Sequence, residues 1–158
     1  MTKTELIVLL KKYKENKARL KLKLREKEGI LRKLESIKNV SISSTSYEQN
    51  SDIHSKNKIS DKVGDKASKN MDIEAELTIK LTETENEIKE LNTKLEEVDI
   101  RLEGLRRKER EILMAYYIEG NSYEEIGNIT YYKLYNQTRS EEAVKKIIQR
   151  AIEKIVNL

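Results

Sequence analysis

The sequence contains no cysteine, proline, phenylalanine or tryptophan, and aromatic residues make up only 5% of its 158 positions. The lack of cysteine excludes a disulfide scaffold and a cysteine-based zinc site, and it agrees with a reducing cytoplasm. With 38% charged residues and few large apolar ones, the chain is too polar for one globular core of this length. The composition is instead typical of long helices that bury narrow apolar seams.

Long apolar runs are also lacking at the N-terminus. The run Leu6–Leu10 is five residues long, which is too short for the hydrophobic region of a signal peptide or for a membrane span. We therefore expect a soluble, cytoplasmic protein with no membrane partner.

Residues that carry catalytic or metal chemistry are scarce. His54 is the only histidine and has no companion ligands in the sequence, whereas metal and catalytic sites need convergent groups. The sequence contains no nucleophile–base pair, no metal-ligand cluster and no glycine-rich phosphate loop. We therefore expect no enzyme activity, no catalytic or metal-binding residues and no cofactor.

Charge is distributed unevenly, although the net charge is only +4. Residues 1–38 contain 13 Lys and Arg against 5 Asp and Glu, a net charge of +8. Residues 71–105 contain 4 against 11, a net charge of −7. Helices of such opposite charge favour pairing with each other over self-pairing, because like charges repel across a coiled-coil interface.

The basic segment 1–38 has the apolar repeat of a helix. Steps of four and three residues predict a seam formed by Leu6, Leu10, Tyr13, Lys17, Leu20, Leu24, Lys27, Leu31, Leu34 and Lys38. Lys17 and Lys27 weaken this seam, so a strong homodimer of this helix alone is not expected. Its basic surface either contacts DNA phosphates or, in the interpretation that we favour, pairs with the opposite charges of an acidic partner helix.

The acidic segment 71–105 has the more regular repeat. Its predicted seam is Leu77, Leu81, Thr84, Ile88, Leu91, Leu95, Val98, Leu102 and Leu105. The repeat continues to Ile112 and Tyr116, so the helix is expected to run on into the next one, with Gly104 as the natural place for a kink.

Between the two helical segments, residues 39–70 are rich in serine and show no helical or strand period, so they read as a linker, disordered in part. The matching lengths of the flanking segments predict an all-α fold with an antiparallel helical hairpin, or coiled coil, within one chain. A parallel dimer, or a four-helix dimer of two hairpins, is the alternative.

Short helices are predicted in residues 106–158. Apolar residues at helical spacing precede Gly120, a residue that tolerates the left-handed conformation at a helix end. Ser122 and Glu125 then have the spacing of a capping box, which marks the start of a new helix almost at once. Such a short connection is typical of a helix-turn-helix.

The last helix is predicted to start at Ser140 and to be amphipathic. Its apolar stripe comprises Val144, Ile147, Ile148, Ala151, Ile152 and Ile155. The opposite face carries polar side chains of the kind that read base edges or phosphates in a major groove. The candidate DNA-binding residues are Arg139, Ser140, Glu142, Lys145, Lys146, Gln149 and Arg150. The alternative for this face is the solvated surface of an ordinary helical bundle.

Two motifs in this region resemble the DNA-binding region 4 of sigma-70-family transcription factors. The first is similar to the family's first two helices: Leu105-x3-Glu109-Arg110-x-Ile112-Leu113-x2-Tyr116-Tyr117-x-Glu119-Gly120-x-Ser122-Tyr123-Glu124-Glu125-Ile126-Gly127. The second is similar to its recognition helix: Ser140-x3-Val144-Lys145-x4-Arg150-Ala151-Ile152-x-Lys154-Ile155. The resemblance implies that Ser140 and the exposed side chains through Arg150 face a promoter.

The sequence departs from that family between the two motifs. Residues 128–139 form a longer connection than the family usually has, and they either lengthen the second helix or form a protruding loop. The aromatic-rich region with which full sigma factors open DNA has no counterpart here, so the resemblance does not imply promoter melting by this chain unaided.

The order of the segments is similar to that of sigma-like regulators from phages and prophages of Gram-positive bacteria, in plan like late-gene regulators of the ArpU and RinA type. This resemblance implies a sequence-specific transcription regulator. The expected partners are double-stranded DNA and, as further candidates, RNA polymerase and a second copy of the chain paired through the hairpin. The alternatives are a phage small terminase subunit that binds packaging DNA and a coiled-coil adaptor that does not bind DNA.

Overall fold

The computed structural model is all-helical and describes the backbone of residues 1–42 and 62–158, with side chains for residues 1–39 and 68–158. Its α-helices in chain order are α1 (Lys3–Ile42), α2 (Lys62–Glu103), α3 (Arg107–Met114), α4 (Tyr123–Glu125), α5 (Tyr131–Tyr135) and α6 (Glu141–Val156). Two π-helical turns, Ala115–Glu119 and Ile126–Thr130, continue α3 and join α4 to α5. The two long helices pack together as a hairpin, followed by the short helices, which confirms this part of the prediction.

The long helices extend further than predicted. Helix α1 continues to Ile42 and α2 begins at Lys62, so the predicted linker 39–70 was too long at both ends. No proline interrupts these extensions, and extending an existing helix is far less costly than nucleating a new one. The rest of the predicted linker, including His54, lies outside the described residues.

Residues 22–88 form one compact unit, which contains the C-terminal half of α1 and the N-terminal part of α2. Ion pairs join the two helices here: Lys23 to Glu87 at 3.1 Å, Lys27 to Glu85 at 2.8 Å and Lys80 to Glu26 at 3.2 Å. The pairing of the basic helix with the acidic one, predicted from their net charges, therefore has a direct structural counterpart in this unit.

The seam of α1 in this unit differs from the predicted one. Leu24 and Leu31 were expected inside, but they are 43% and 40% exposed, whereas Ile30 is only 5% exposed. The predicted seam steps by four residues from Leu20 to Leu24, whereas the observed seam steps by three, to the half-buried Lys23. The aliphatic stem of Lys23 covers the seam while its ammonium group reaches Glu87. This register places the β-branched Ile30 against α2.

The seam of α2 follows the prediction. Every predicted position from Leu77 to Leu105 is buried or half-buried. The polar exception, Thr84, is 2% exposed, and its hydroxyl donates a hydrogen bond to the carbonyl oxygen of Lys80 at 2.8 Å. Its one polar group is thereby satisfied, so the threonine interrupts the apolar repeat without leaving a buried donor unpaired.

Residues 1–21 and 89–158 form the second compact unit, which has a single hydrophobic core. Its buried members are Leu6, Leu10, Val98, Leu102, Leu105, Ile112, Leu113, Ala115, Ile126, Tyr131, Val144, Ile148, Ala151, Ile152 and Ile155. The start of α1 and the end of α2 thus contribute to the same core as the short helices. The short helices do not form a core of their own.

The end of α2 is tied to the end of α6. The acidic helix does not run on into the next one as expected, because α2 ends at Glu103 and α3 begins at Arg107. The interruption lies at Gly104, the position at which a kink was predicted. A Cβ atom on Gly104 would lie 2.5 Å from a methyl group of Leu158. Arg101 donates a hydrogen bond to the carbonyl oxygen of Ile155 and pairs with Glu97 at 2.8 Å. A cation at the C-terminus of a helix is favoured by the helix dipole.

Within the described part of the chain, no helix is both long enough and apolar enough to cross a membrane.

Candidate nucleic-acid interface

The turn between the first two short helices has the predicted caps. The first helical segment ends at Gly120, whose φ of 81° is in the left-handed region. The amide of Glu125 then donates to the hydroxyl of Ser122 at 3.2 Å, and the amide of Ser122 donates to the carboxylate of Glu125 at 2.7 Å. The backbone amide and the hydroxyl of Ser122, which both bind the carboxylate, lower the pKa of Glu125. The capping box fixes the point at which the chain re-enters a helix.

The segment 128–139 takes the first of its two predicted forms. It lengthens the second helical stretch, which runs from Tyr123 to Tyr135 through the π-helical turn Ile126–Thr130. The stretch ends at Asn136, whose φ of 54° makes it the one non-glycine residue with positive φ among those described. Only residues 136–140 are left to connect to α6.

Close contact between Gly127 and Arg139 positions α6. The amide of Arg139 donates to the carbonyl oxygen of Gly127 at 3.1 Å. A Cβ atom on Gly127 would overlap the carbonyl oxygen of Arg139. Glycine is therefore required where the second helical stretch touches the chain that leads into α6.

Two serines at helix starts differ in their bonding, and this difference yields a prediction. Ser122 caps α4 with its hydroxyl, whereas Ser140 occupies the same position of α6 with no side-chain capping bond. We expect Ser122→Ala to lower the free energy of unfolding by about 1 kcal/mol, because it leaves an amide at the helix start unsatisfied. Ser140→Ala is the matched control and should cost less than about 0.5 kcal/mol. Urea denaturation of both variants measures this; equal costs would contradict the assignment of the cap.

The seven predicted DNA-binding residues are all exposed. The other side of α6 is buried, with Val144, Ala151 and Ile155 at 0% exposure. At about 100° per residue, Lys145 lies about 60° to one side of Glu142 and Arg150 about 80° to the other. Helix α6 therefore presents one polar face with a cation at each edge, and its apolar side fixes it to the core.

A groove of about 480 Å³ borders this face on the side of Lys145. It is lined by Lys3, Tyr117, Tyr123, Glu142, Lys145, Lys146, Ile148, Gln149 and Ile152. Four of the seven predicted residues are thus brought together, while Arg139, Ser140 and Arg150 are not part of the groove. Lys3, Tyr117 and Tyr123 were not predicted.

The cations of this face are only weakly engaged by the protein. Lys145 lies 3.8 Å from Glu141 and 5.0 Å from the centre of the Tyr123 ring. Exposed pairs of this kind contribute little to stability. Lys146 and Arg150 have no ion pair with any residue that the structure describes. These charges are available to an anionic partner.

Tyrosine side chains pack beside the polar face of α6, and the sequence analysis did not predict them as part of the site. Tyr116 and Tyr123 stack at 4.6 Å, and the hydroxyl of Tyr123 donates to that of Tyr116 at 2.9 Å. This bond, together with partial burial, raises the pKa of Tyr123 to about 12. The seven-residue separation crosses the turn at Gly120, so no single-helix period indicates the contact.

A second tyrosine contact holds Arg139. Its guanidinium group lies 5.3 Å from the centre of the Tyr131 ring, and Lys108 of α3 donates to the Tyr131 hydroxyl at 2.6 Å. The bond from Lys108 lowers the pKa of Tyr131. The buried ring of Tyr131 therefore orients Arg139, which itself remains exposed.

Among the residues whose side chains are described, no group of three or more potential ligands could hold a metal ion. Comparison with known proteins gave no match: neither a family model, nor a curated protein, nor a solved structure matches the chain.

Proposed function

We propose that residues 107–158 form a helix-turn-helix that binds double-stranded DNA, with α6 as the recognition helix. The observation that carries the proposal is the exposed polar face of α6, where Lys146 and Arg150 form no ion pair with a described residue. The opposite side of the helix is packed into the core. The protein then acts as a sequence-specific transcription regulator of the sigma-like type, which the resemblance of its two motifs supports.

The residues of the face have different roles in this proposal. Glu142, Lys146 and Gln149 approach base edges in the major groove, where such side chains distinguish base pairs. Arg139, Lys145 and Arg150 contact phosphates. The hydroxyl of Ser140 makes no capping bond, so it is free to contact another phosphate together with the backbone amides that follow it.

Mutations at the face test the proposal. A binding site is first selected from a randomised duplex library with the wild-type protein. We expect Lys146→Ala to weaken binding to that site by about 5- to 150-fold, since one good base contact contributes about 1–3 kcal/mol. Arg150→Ala should weaken specific and non-specific binding alike and reduce the slope of log K against log salt by about 0.9.

Lys94→Ala is the matched control for these two variants. Lys94 is also an exposed cation of the same compact unit, but it pairs with Glu90 at 3.6 Å on α2. It should leave binding unchanged. Retention of wild-type binding by both α6 variants would overturn the proposal.

Light scattering coupled to size exclusion separates the proposal from its rivals. A monomer or dimer that shifts with the selected duplex supports the regulator. A large ring would favour a small terminase subunit, and indifference to DNA at low salt would leave the coiled-coil adaptor. RNA polymerase and a dimer paired through the hairpin are the further partners that we propose for the regulator.

A further inference from the structure

We infer that the first turns of α1 belong to the DNA-binding surface, with Lys3 and Lys11 as phosphate contacts beside the recognition helix. This inference rests on the proposed function and extends its interface to a part of the chain more than 100 residues away in sequence. Three observations carry it: the placement of these lysines, the absence of an ion pair between either lysine and a described residue, and the small net charge of the short helices.

The placement of α1 is fixed by the core. Leu6 and Leu10 are both 0% exposed and pack in the same cluster as the buried side of α6. Lys3 lines the groove that also contains Lys145 and Lys146. The shared core therefore holds the start of α1 beside the polar face of α6.

Lys11 lies at a neighbouring groove of about 490 Å³, with Asn121, Ser122 and Glu125. This groove adjoins the capping box at the start of α4. Tyr117 lines both grooves, so the two lysines border one continuous stretch of surface. In a helix-turn-helix the helix before the recognition helix crosses the phosphate backbone, which places Lys11 beside the expected path of one strand.

The start of α1 carries an excess of cations. Residues 1–21 contain 7 Lys and Arg against 2 Asp and Glu. In the unit formed by residues 22–88, Lys23 and Lys27 pair with carboxylates of α2. By contrast, Lys3 and Lys11 make no ion pair with any described residue and are both exposed. Helix α1 thus forms ion pairs with the acidic helix α2 through Lys23 and Lys27, but Lys3 and Lys11 form none with the described residues.

The charge of the short helices alone is small for a DNA-binding surface. Residues 106–158 contain 10 Lys and Arg against 8 Asp and Glu, a net charge of +2. Residues 1–21 contribute a further +5 within the same compact unit. Since phosphate neutralisation supplies most of non-specific affinity, Lys3 and Lys11 add to the attraction that Arg139, Lys145 and Arg150 provide. Lys3 adds to the edge of α6 that carries Lys145, opposite the edge that carries Arg150.

Salt-dependent binding to a mixed-sequence duplex of about 30 base pairs tests this inference without knowledge of the target site. We expect the double variant Lys3→Gln/Lys11→Gln to reduce the slope of log K against log salt by about 1.8 and to weaken binding about 30-fold near 0.15 M salt. The conservative variant Lys3→Arg/Lys11→Arg should retain the wild-type slope.

The control is Lys12→Gln/Lys94→Gln, which removes the same charge from exposed positions of the same unit that line neither groove. If both double variants behave alike while Arg150→Ala loses affinity, the inference is wrong and the proposed function stands. If the wild-type protein does not bind the duplex at low salt, the proposed function fails, and the inference fails with it.

Discussion

Gly127→Ala is expected to lower the free energy of unfolding by about 1–3 kcal/mol, the range typical of forcing an extra methyl group into a packed site. The added Cβ atom would overlap the carbonyl oxygen of Arg139, which is backbone and has no rotamer with which to move away. Relief requires that the second helical stretch and the chain entering α6 separate. This movement would also break the hydrogen bond between the Arg139 amide and the Gly127 carbonyl oxygen.

Gly29→Ala is the matched control because Gly29 is also helical. A Cβ atom there has no neighbour within 4 Å. The same substitution should therefore stabilise α1 by about 1 kcal/mol, through the higher helix propensity of alanine. Urea denaturation of the two variants gives the sign of each effect, and stabilisation by both would show that the contact with Arg139 is not close.

The Gly127 variant also has a consequence for binding. Displacement of Arg139 would move the start of α6, so affinity for the selected duplex should fall in conditions where the variant is still folded. Gly29→Ala should leave affinity unchanged. A Gly127→Ala protein with wild-type affinity would mean that the position of α6 does not depend on this contact.

Leu10→Ala is expected to cost about 2–5 kcal/mol, as is usual for a fully buried leucine. Leu10 is 0% exposed and belongs to the core that holds the short helices. The loss should therefore destabilise the C-terminal helices as well as the hairpin. With no tryptophan in the chain, tyrosine fluorescence reports on this region, because Tyr116, Tyr117 and Tyr131 pack in or against the same core.

Leu24→Ala is the control for the leucine prediction. The apolar repeat of the sequence places Leu24 in the seam, but it is 43% exposed, so the change should stay within about 0.5 kcal/mol. If the tyrosine fluorescence of the Leu10 variant has its unfolding midpoint at the same urea concentration as the wild-type protein, the short helices are stable without the packing of α1. A large cost at Leu24 would instead favour the register expected from the sequence.

The hairpin was predictable because α2 carries one regular apolar repeat with a single exception, Thr84, and all of its expected seam positions are buried or half-buried. Helix α1 is less predictable because two apolar stripes overlap in its sequence, one through Leu24 and Leu31 and the other through Ile30. The choice between them depends on partners such as Glu87, which binds Lys23 across the hairpin. A single-helix period contains no information about that partner, so the register was wrong for part of α1.

The polar face of α6 was also predictable, since its apolar stripe determines which side is exposed. The surroundings of that face were not. Tyr13 of α1 donates a hydrogen bond to Asp99 at 2.7 Å across 86 residues, and partial burial together with this bond raises the pKa of Tyr13 to about 12. Contacts of such long sequence separation bring Lys3 beside Lys145, and the local pattern around Lys3 predicts only a helix start.

The shared core has a consequence for the timing of folding during synthesis. Leu6 is made early, but several of its partners in the core lie between Val144 and Ile155. At a synthesis rate of about 5–20 residues per second, the apolar side of α1 waits for roughly 7–30 s before those partners leave the ribosome. During that interval α1 can pair with α2 but has no completed core. The polar face of α6 and the start of α1 are therefore held together only near the end of synthesis. Under the proposed function, nascent chains that lack these partners would not compete for the DNA site.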